Sequence, residues 1–230
     1  MNTNKQVSIQ LALDGHSFSI QGATHAAAGR KADGGQATGR LVTEKERAQK
    51  PISEAAHPEQ QALQERMQIE VLTAKSVLVP QVLFAPEDAA SLLTMQGVAL
   101  TDEEVILTAS DPQHNDAVAV MAVPRTLQVY IAEHYGDEVR YTTPLLHVPT
   151  VLEPTIYLCD TGSLIYIKVY EPHLTLAEVV AATDADVEFL LHRLAMQLDA
   201  ARFVVHLELR HRNKQRAKSY KQYFKKIVCV

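Results

Sequence analysis

Residues 7–20 read VSIQLALDGHSFSI, and residues 155–171 read TIYLCDTGSLIYIKVYE. Each opens as an apolar strand, reaches an Asp beside a Gly, turns, and returns as a second apolar strand. In the first, Ile9, Leu11 and Leu13 fall on one face, because side chains alternate along a strand, and Asp14-Gly15 supplies the turn. In the second, Asp160-Thr161-Gly162-Ser163 does so. Two such hairpins predict two copies of one α/β unit, residues 1–150 and residues 151–230.

The second half reads outward from its hairpin without interruption. A weaker apolar stretch covers 174–181. Thr183, with Asp186 three residues on, caps a helix whose Val187, Leu190, Leu191, Leu194 and Leu198 recur at the helical period. Residues 202–209 read as a strand. Residues 214–227 read as a last helix, with Ala217, Tyr220, Tyr223, Phe224 and Ile227 facing inward. The order strand, strand, strand, helix, strand, helix is that of a ribonuclease-H-like or actin-like half. The predicted fold class is therefore α/β: a duplicated ribonuclease-H-like/actin-like fold, with a mixed sheet and helices in each of two lobes.

The first half is interrupted. Five of the nine glycines in the chain fall within residues 21–70, among Ala, Gln, Lys and Glu. That composition predicts a flexible, dispensable insert, with a polar helix over 54–70. Order returns with a strand at 76–80. A helix follows from Ala85 to Gly97, with Pro86 at its start and Glu87 and Asp88 in its first turn. Residues 104–110 and 117–123 read as strands, Pro124 opens a helix that stops near Gly136, and 139–146 reads as a strand.

These residues resemble a known family. The opening SIQLALDGHSFSI, the VLVPQVLF strand before a Pro-Glu-Asp helix, the LLHVP segment and the closing SYKQYF are similar to the Bacteroidetes family called domain of unknown function 3822 (DUF3822). The resemblance implies an actin-like or ribonuclease-H-like fold and no established biochemistry, and it assigns no catalytic residue.

The fold nevertheless suggests where chemistry would lie. Actin-type ATPases use two hairpin turns, whose backbone N–H groups hold phosphates while their Asp residues orient magnesium and water. Asp160, Thr161, Gly162 and Ser163 match the usual Asp-x-Gly-Ser/Thr turn. Asp14 and Gly15 lack the intervening residue. A nucleoside packs on a Gly-rich turn late in such chains, and no glycine follows Gly162 here. ATP with magnesium is therefore the only candidate cofactor, and the reading favours none. A ribonuclease-H-like nuclease would need several carboxylates around two metal ions. Asp14 with Asp111 or Asp116 supplies two, and both later residues also suit an ordinary turn. The ten histidines show no metal-binding spacing, and no Gly-x-Ser-x-Gly or Gly-x-x-x-x-Gly-Lys motif is present. No metal site is assigned.

Charge is unevenly placed. The chain carries a net −5, yet residues 210–226 hold eight Lys and Arg and no acid. Lys214, Lys218, Lys221 and Lys225 line one helical face, opposite Tyr220 and Phe224, as a candidate anion-binding face. A solvated face has the same pattern. Cys159 and Cys229 form no redox or metal pair. The start lacks an apolar signal core, and no apolar run reaches the ~20 residues of a membrane helix, so a cytoplasmic location and no membrane contact are expected. The sequence thus reads as a non-catalytic actin-like scaffold whose partner is another protein. A nucleotide-binding actin-type ATPase and a nucleic-acid-binding ribonuclease-H-like protein are the alternatives.

Overall fold

In a computed structural model of the chain, residues 6–11, 17–22, 37–40, 67–111, 116–136, 139–148, 153–199, 202–211 and 213–229 are described. They form thirteen strands and four α-helices. The first sheet holds β1 (Gln6–Leu11), β2 (Ser17–Gly22), β3 (Ala37–Arg40), β4 (Gln68–Leu72) and β8 (Arg140–Thr142), in the order β3-β2-β1-β4-β8. The second holds β9 (Thr155–Asp160), β10 (Leu164–Tyr170), β11 (Leu174–Ala181), β12 (Val204–Leu209) and β13 (Ile227–Cys229), in the order β11-β10-β9-β12-β13.

Strand directions agree as well as order. In each sheet the first strand pairs antiparallel with the second, and the second antiparallel with the third. The first then pairs parallel with the fourth, and the fourth parallel with the fifth. The hairpins differ in their turns. Leu11 is opposite Phe18 while Asp160 is opposite Ile165, so the first connection is longer.

Between β4 and β8 lies a third sheet, β5-β7-β6, built from β5 (Ser76–Pro80), β6 (Glu104–Ser110) and β7 (Ala117–Pro124). The β7 run AVAVMAV has no polar side because both of its faces are covered. Ala119, Met121 and Val123 pack with Ile9, Ile69 and Val71 of the first sheet and with α2 (Arg125–Tyr135). Val118, Val120 and Ala122 pack against α1 (Ala89–Met95). The 85–97 helix begins as a 3-10 turn at Pro86–Asp88, and Gly97 closes it at φ +79°.

The second sheet is also covered on both faces. Ile156, Leu158, Ile165, Ile167 and Val169 meet α3 (Asp184–Gln197) and α4 (Lys214–Tyr223). Tyr157, Cys159, Leu164 and Tyr166 meet Leu72 and Leu145 from the first half. Thr183 caps α3 as its sequence predicts, its Oγ1 accepting the Asp186 N–H at 3.2 Å.

Several expectations need correction. The 21–70 segment is not one loop: residues 37–40 are β3, hydrogen-bonded to β2, and 68–72 are β4 rather than the end of a helix. Residues 23–36 and 41–66 lie outside the described residues. Of 139–146, only Arg140–Thr142 is strand, and Pro144–Leu146 is a 3-10 turn. The last helix stops at Tyr223 instead of 227, because Ile227–Cys229 pairs with β12 as β13. Among the described residues no helix is long and apolar enough to cross a membrane.

Tyr220 and Phe224 are buried in the core under the second sheet, while Lys218, Lys221 and Lys225 are exposed. Truncating a buried aromatic costs ~3–5 kcal/mol, and an exposed charge contributes little. Phe224→Ala is therefore expected to lower unfolding free energy in urea by ~3–5 kcal/mol. Replacing Lys218, Lys221 and Lys225 together by Gln should change it by under ~1 kcal/mol.

Candidate functional site

The turn between β9 and β10 carries Asp160, Thr161, Gly162 and Ser163, and three of its backbone donors are already engaged. Thr161 N–H donates to the Leu164 carbonyl at 2.9 Å, Leu164 N–H to Thr161 Oγ1 at 3.1 Å, and Gly162 N–H to Asp160 Oδ1 at 2.9 Å. Gly162 sits at φ +96°, a conformation that favours glycine. A β-carbon there would lie 3.6 Å from the His211 side chain, so the imidazole covers the turn.

Asp160 is fully buried, and a buried carboxylate needs paired charge or donors. Tyr220 donates its hydroxyl to Oδ2 at 2.8 Å, and His211 Nε2 lies 2.9 Å from the same oxygen. Arg216 approaches Oδ1 at 3.5 Å. Its guanidinium also donates to the carbonyls of Gly162 at 3.1 Å and Ala182 at 2.6 Å, and pairs with Asp184 at 3.2 Å. Only 9% of the Arg216 side chain is exposed. Arg216 reaches this place because Asn213 caps α4, its Oδ1 accepting the N–H groups of Gln215 and Arg216. The three groups on Asp160 all come from residues 211–220, so the end of the chain closes the turn where an actin-type site would hold phosphate. A cavity of about 360 Å³ lies between α3 and α4 beside this cluster, but Asp160 is not among its lining residues.

A second polar cluster bridges the two large sheets. Arg210 pairs with Glu70 of β4 and, at 2.7 Å, with Glu208 of β12, while Glu208 accepts the Tyr157 hydroxyl. Burial works to raise the Glu208 carboxyl, but the hydrogen bonds from Arg210 and Tyr157 outweigh it and leave the group below its ordinary value. Burial raises the Tyr157 and Tyr166 hydroxyls well above theirs. Lys168 is fully buried, donates to the Leu145 carbonyl at 3.1 Å, and stands 4.8 Å from the centre of the Tyr157 ring.

Of the residues singled out in the sequence, Asp160, Thr161, Gly162 and Ser163 form one turn. Asp14 and Gly15 lie outside the described residues, and so does the side chain of Lys214. Lys218, Lys221 and Lys225 are exposed near the end of the chain. Asp116 lines a groove with Tyr170 and His173, at the opposite end of β10 from Asp160, about 17 Å away by strand rise. Among the described residues no three His, Cys, Asp or Glu side chains are placed to hold a metal ion. Sequence reasoning counted Arg210 and Arg216 only among the basic residues of 210–226 and passed over His211, Glu70 and Lys168. Only Arg216 left a clear sign, since it lies four residues before Tyr220 and so shares its inward face.

The family described as "Protein of unknown function (DUF3822)" matches residues 1–177. The chain belongs to that family. The similarity noted at residues 219–224 lies beyond the matched span. A search of curated proteins returns no match. Among solved structures, the chain is similar to a Bacteroides thetaiotaomicron protein described as having an actin-like ATPase fold and unknown function. The TM-score is 0.61 at 16% identity, over 98% of this chain and 90% of that one. It is also similar, at a TM-score of 0.42 and 14% identity, to the cytoplasmic domain of EpsL, an inner-membrane component of the Vibrio cholerae type II secretion system. That match covers 91% of this chain and 84% of the other. The fold of this DUF3822 chain is therefore actin-like, and no activity comes with it.

Removing one partner of a buried ion pair typically costs ~3–5 kcal/mol, because the remaining charge is stranded. Arg216→Met should accordingly destabilise the protein by ~3 kcal/mol in urea unfolding, given that Tyr220 and His211 still face Asp160. Adding Asp160→Asn to that variant removes the stranded charge and should recover part of the loss. Additive losses would show that the two side chains act independently.

Proposed function

We propose that this DUF3822 protein is a non-catalytic actin-like scaffold, which works by binding another protein and not by turning over nucleotide. The observation that carries the reading is the closed state of the Asp160 turn. Its carboxylate is held by Arg216, His211 and Tyr220, and three of its backbone donors are spent within the turn. An actin-type site needs that carboxylate free for magnesium-bound water and those donors free for phosphate. Fold likeness alone does not supply activity.

In this reading the chain is a duplicated ribonuclease-H-like unit of two lobes, the second sheet repeating the first. The matching strand order and directions support it. The Glu70–Arg210 pair then does between the lobes what a bound nucleotide does in an ATPase, joining one to the other.

A ligand at 100 times its Kd adds about 2.7 kcal/mol to stability, a shift of several degrees in Tm. ATP or ADP with magnesium, raised to millimolar concentration, is expected to leave Tm unchanged, and ATP hydrolysis is expected to stay at the level of a protein-free blank. A saturable shift that Asp160→Asn abolishes would overturn the scaffold reading in favour of the ATPase. Salt-sensitive binding of DNA or RNA that is lost when Lys218, Lys221 and Lys225 become Gln would overturn it in favour of the nucleic-acid reading.

A further inference from the structure

Lys168 is a fully buried amine at the contact between the two large sheets. Its strand, β10, belongs to the second sheet, and its hydrogen-bond acceptor, the Leu145 carbonyl, belongs to the 3-10 turn that follows the first. An ammonium has three donors, and the contact described for this one is a single carbonyl together with the face of Tyr157. Among the described residues it forms no ion pair. Glu208, the carboxylate whose charge acts on it, is taken by Arg210 and the Tyr157 hydroxyl.

The other titratable groups around this contact come from every element packed on it. β9 presents Tyr157 and Cys159, and β10 itself presents Tyr166 and Tyr170, the latter beside Asp116 in a groove that Leu145 also lines. β12 presents His206 and Glu208 in register with Tyr157 and Cys159, followed by Arg210. The first half presents Glu70 and His147, whose ring lies 5.1 Å from that of Tyr157. β11 presents Ala177 and Val179, which do not titrate. Glu70 and Glu208 are tied to Arg210, and Asp116 acts on Tyr170, so among the described residues no carboxylate pairs with the amine.

We propose that Lys168 couples the docking of the two sheets to a proton: the docked state takes the neutral amine, and separating the sheets lets the amine take up H⁺ from water. The coupling goes beyond the scaffold reading and holds whether or not a partner protein is found. Burial, working against the smaller opposing influence of Cys159 and Glu208, pushes Lys168 down to about 7 in the docked state. Once exposed, the amine returns to its ordinary value near 10.4. Between those two values the open state binds the extra proton, so docking tightens as pH rises from 7 towards 10. Below 7 the amine is charged in both states, and this dependence ends.

Cys159 lies in the same contact and is fully buried, whereas Cys229 is exposed. In the full chain carrying Cys229→Ser, the iodoacetamide reaction of Cys159, divided by the rate for the urea-unfolded chain at the same pH, measures opening of the contact. The comparison protein carries Lys168→Met as well, so the titrations of Cys159 and the tyrosines are common to both. The ratio of their opening constants is expected to fall about tenfold per unit as pH rises from about 7.5 to 9.5. A ratio that does not change with pH overturns the proposal. Should Lys168→Met not fold, ¹³C NMR of the lysine Cε groups in the otherwise native protein decides the matter. One lysine titrating well below 9 is expected, and none doing so overturns it.

Discussion

A carboxylate with no access to water sets the terms for the last quarter of this chain. Asp160 ends β9 inside the protein, and the Gly162 N–H, the Tyr220 hydroxyl, the Arg216 guanidinium and the His211 ring, all from residues that follow it in the chain, converge on it. Gly162 supplies the turn conformation that lets its own N–H fold back onto the carboxylate. His211 follows β12 and lies over that turn. The Asn213 cap then starts α4 in the register that brings Arg216 and Tyr220 to the same spot, one helical turn apart. Phe224, one turn further, enters the apolar core beneath. The position of the last helix is thus fixed by charge at one end and by aromatic burial at the other.

The two faces of the second sheet show two ways to bury a sheet. The face under α3 and α4 is apolar, formed by Ile, Leu, Val and Phe with Tyr220, and draws its stability from apolar area. The face towards the first half carries Tyr157, Tyr166, Lys168, Glu208 and Arg210 beside Leu72 and Leu145. Buried ion pairs add little net stability over an apolar contact, yet they are costly to misalign. Such a face favours one docked arrangement over near alternatives.

Elements whose signal is local were legible in the sequence. The paired hairpins, the Thr183 cap and the doubly buried β7 each follow from periodicity or a capping residue within a few positions. The 37–40 strand was not legible, because ATGR has no apolar alternation and gains its place only by pairing with β2. Helix α4 ended early because Ile227 and Val228, β-branched residues, found a parallel partner in β12. Within the site, the Asp160 turn was visible as a motif, but the residues that close it were not. Arg216 sat unremarked on an inward helical face, and Glu70 meets Arg210 across 140 residues of chain, a pairing no local pattern can carry.

The account turns on whether the Asp160 turn is closed to phosphate in solution. The most direct measurement follows the backbone amides of Thr161, Gly162 and Leu164 in ¹⁵N-labelled protein during titration with magnesium and ADP or ATP. The account predicts that these amides keep their positions and remain protected from hydrogen exchange at millimolar nucleotide. Saturable shifts centred on Gly162, with release of the Arg216 guanidinium from Asp160, would contradict it.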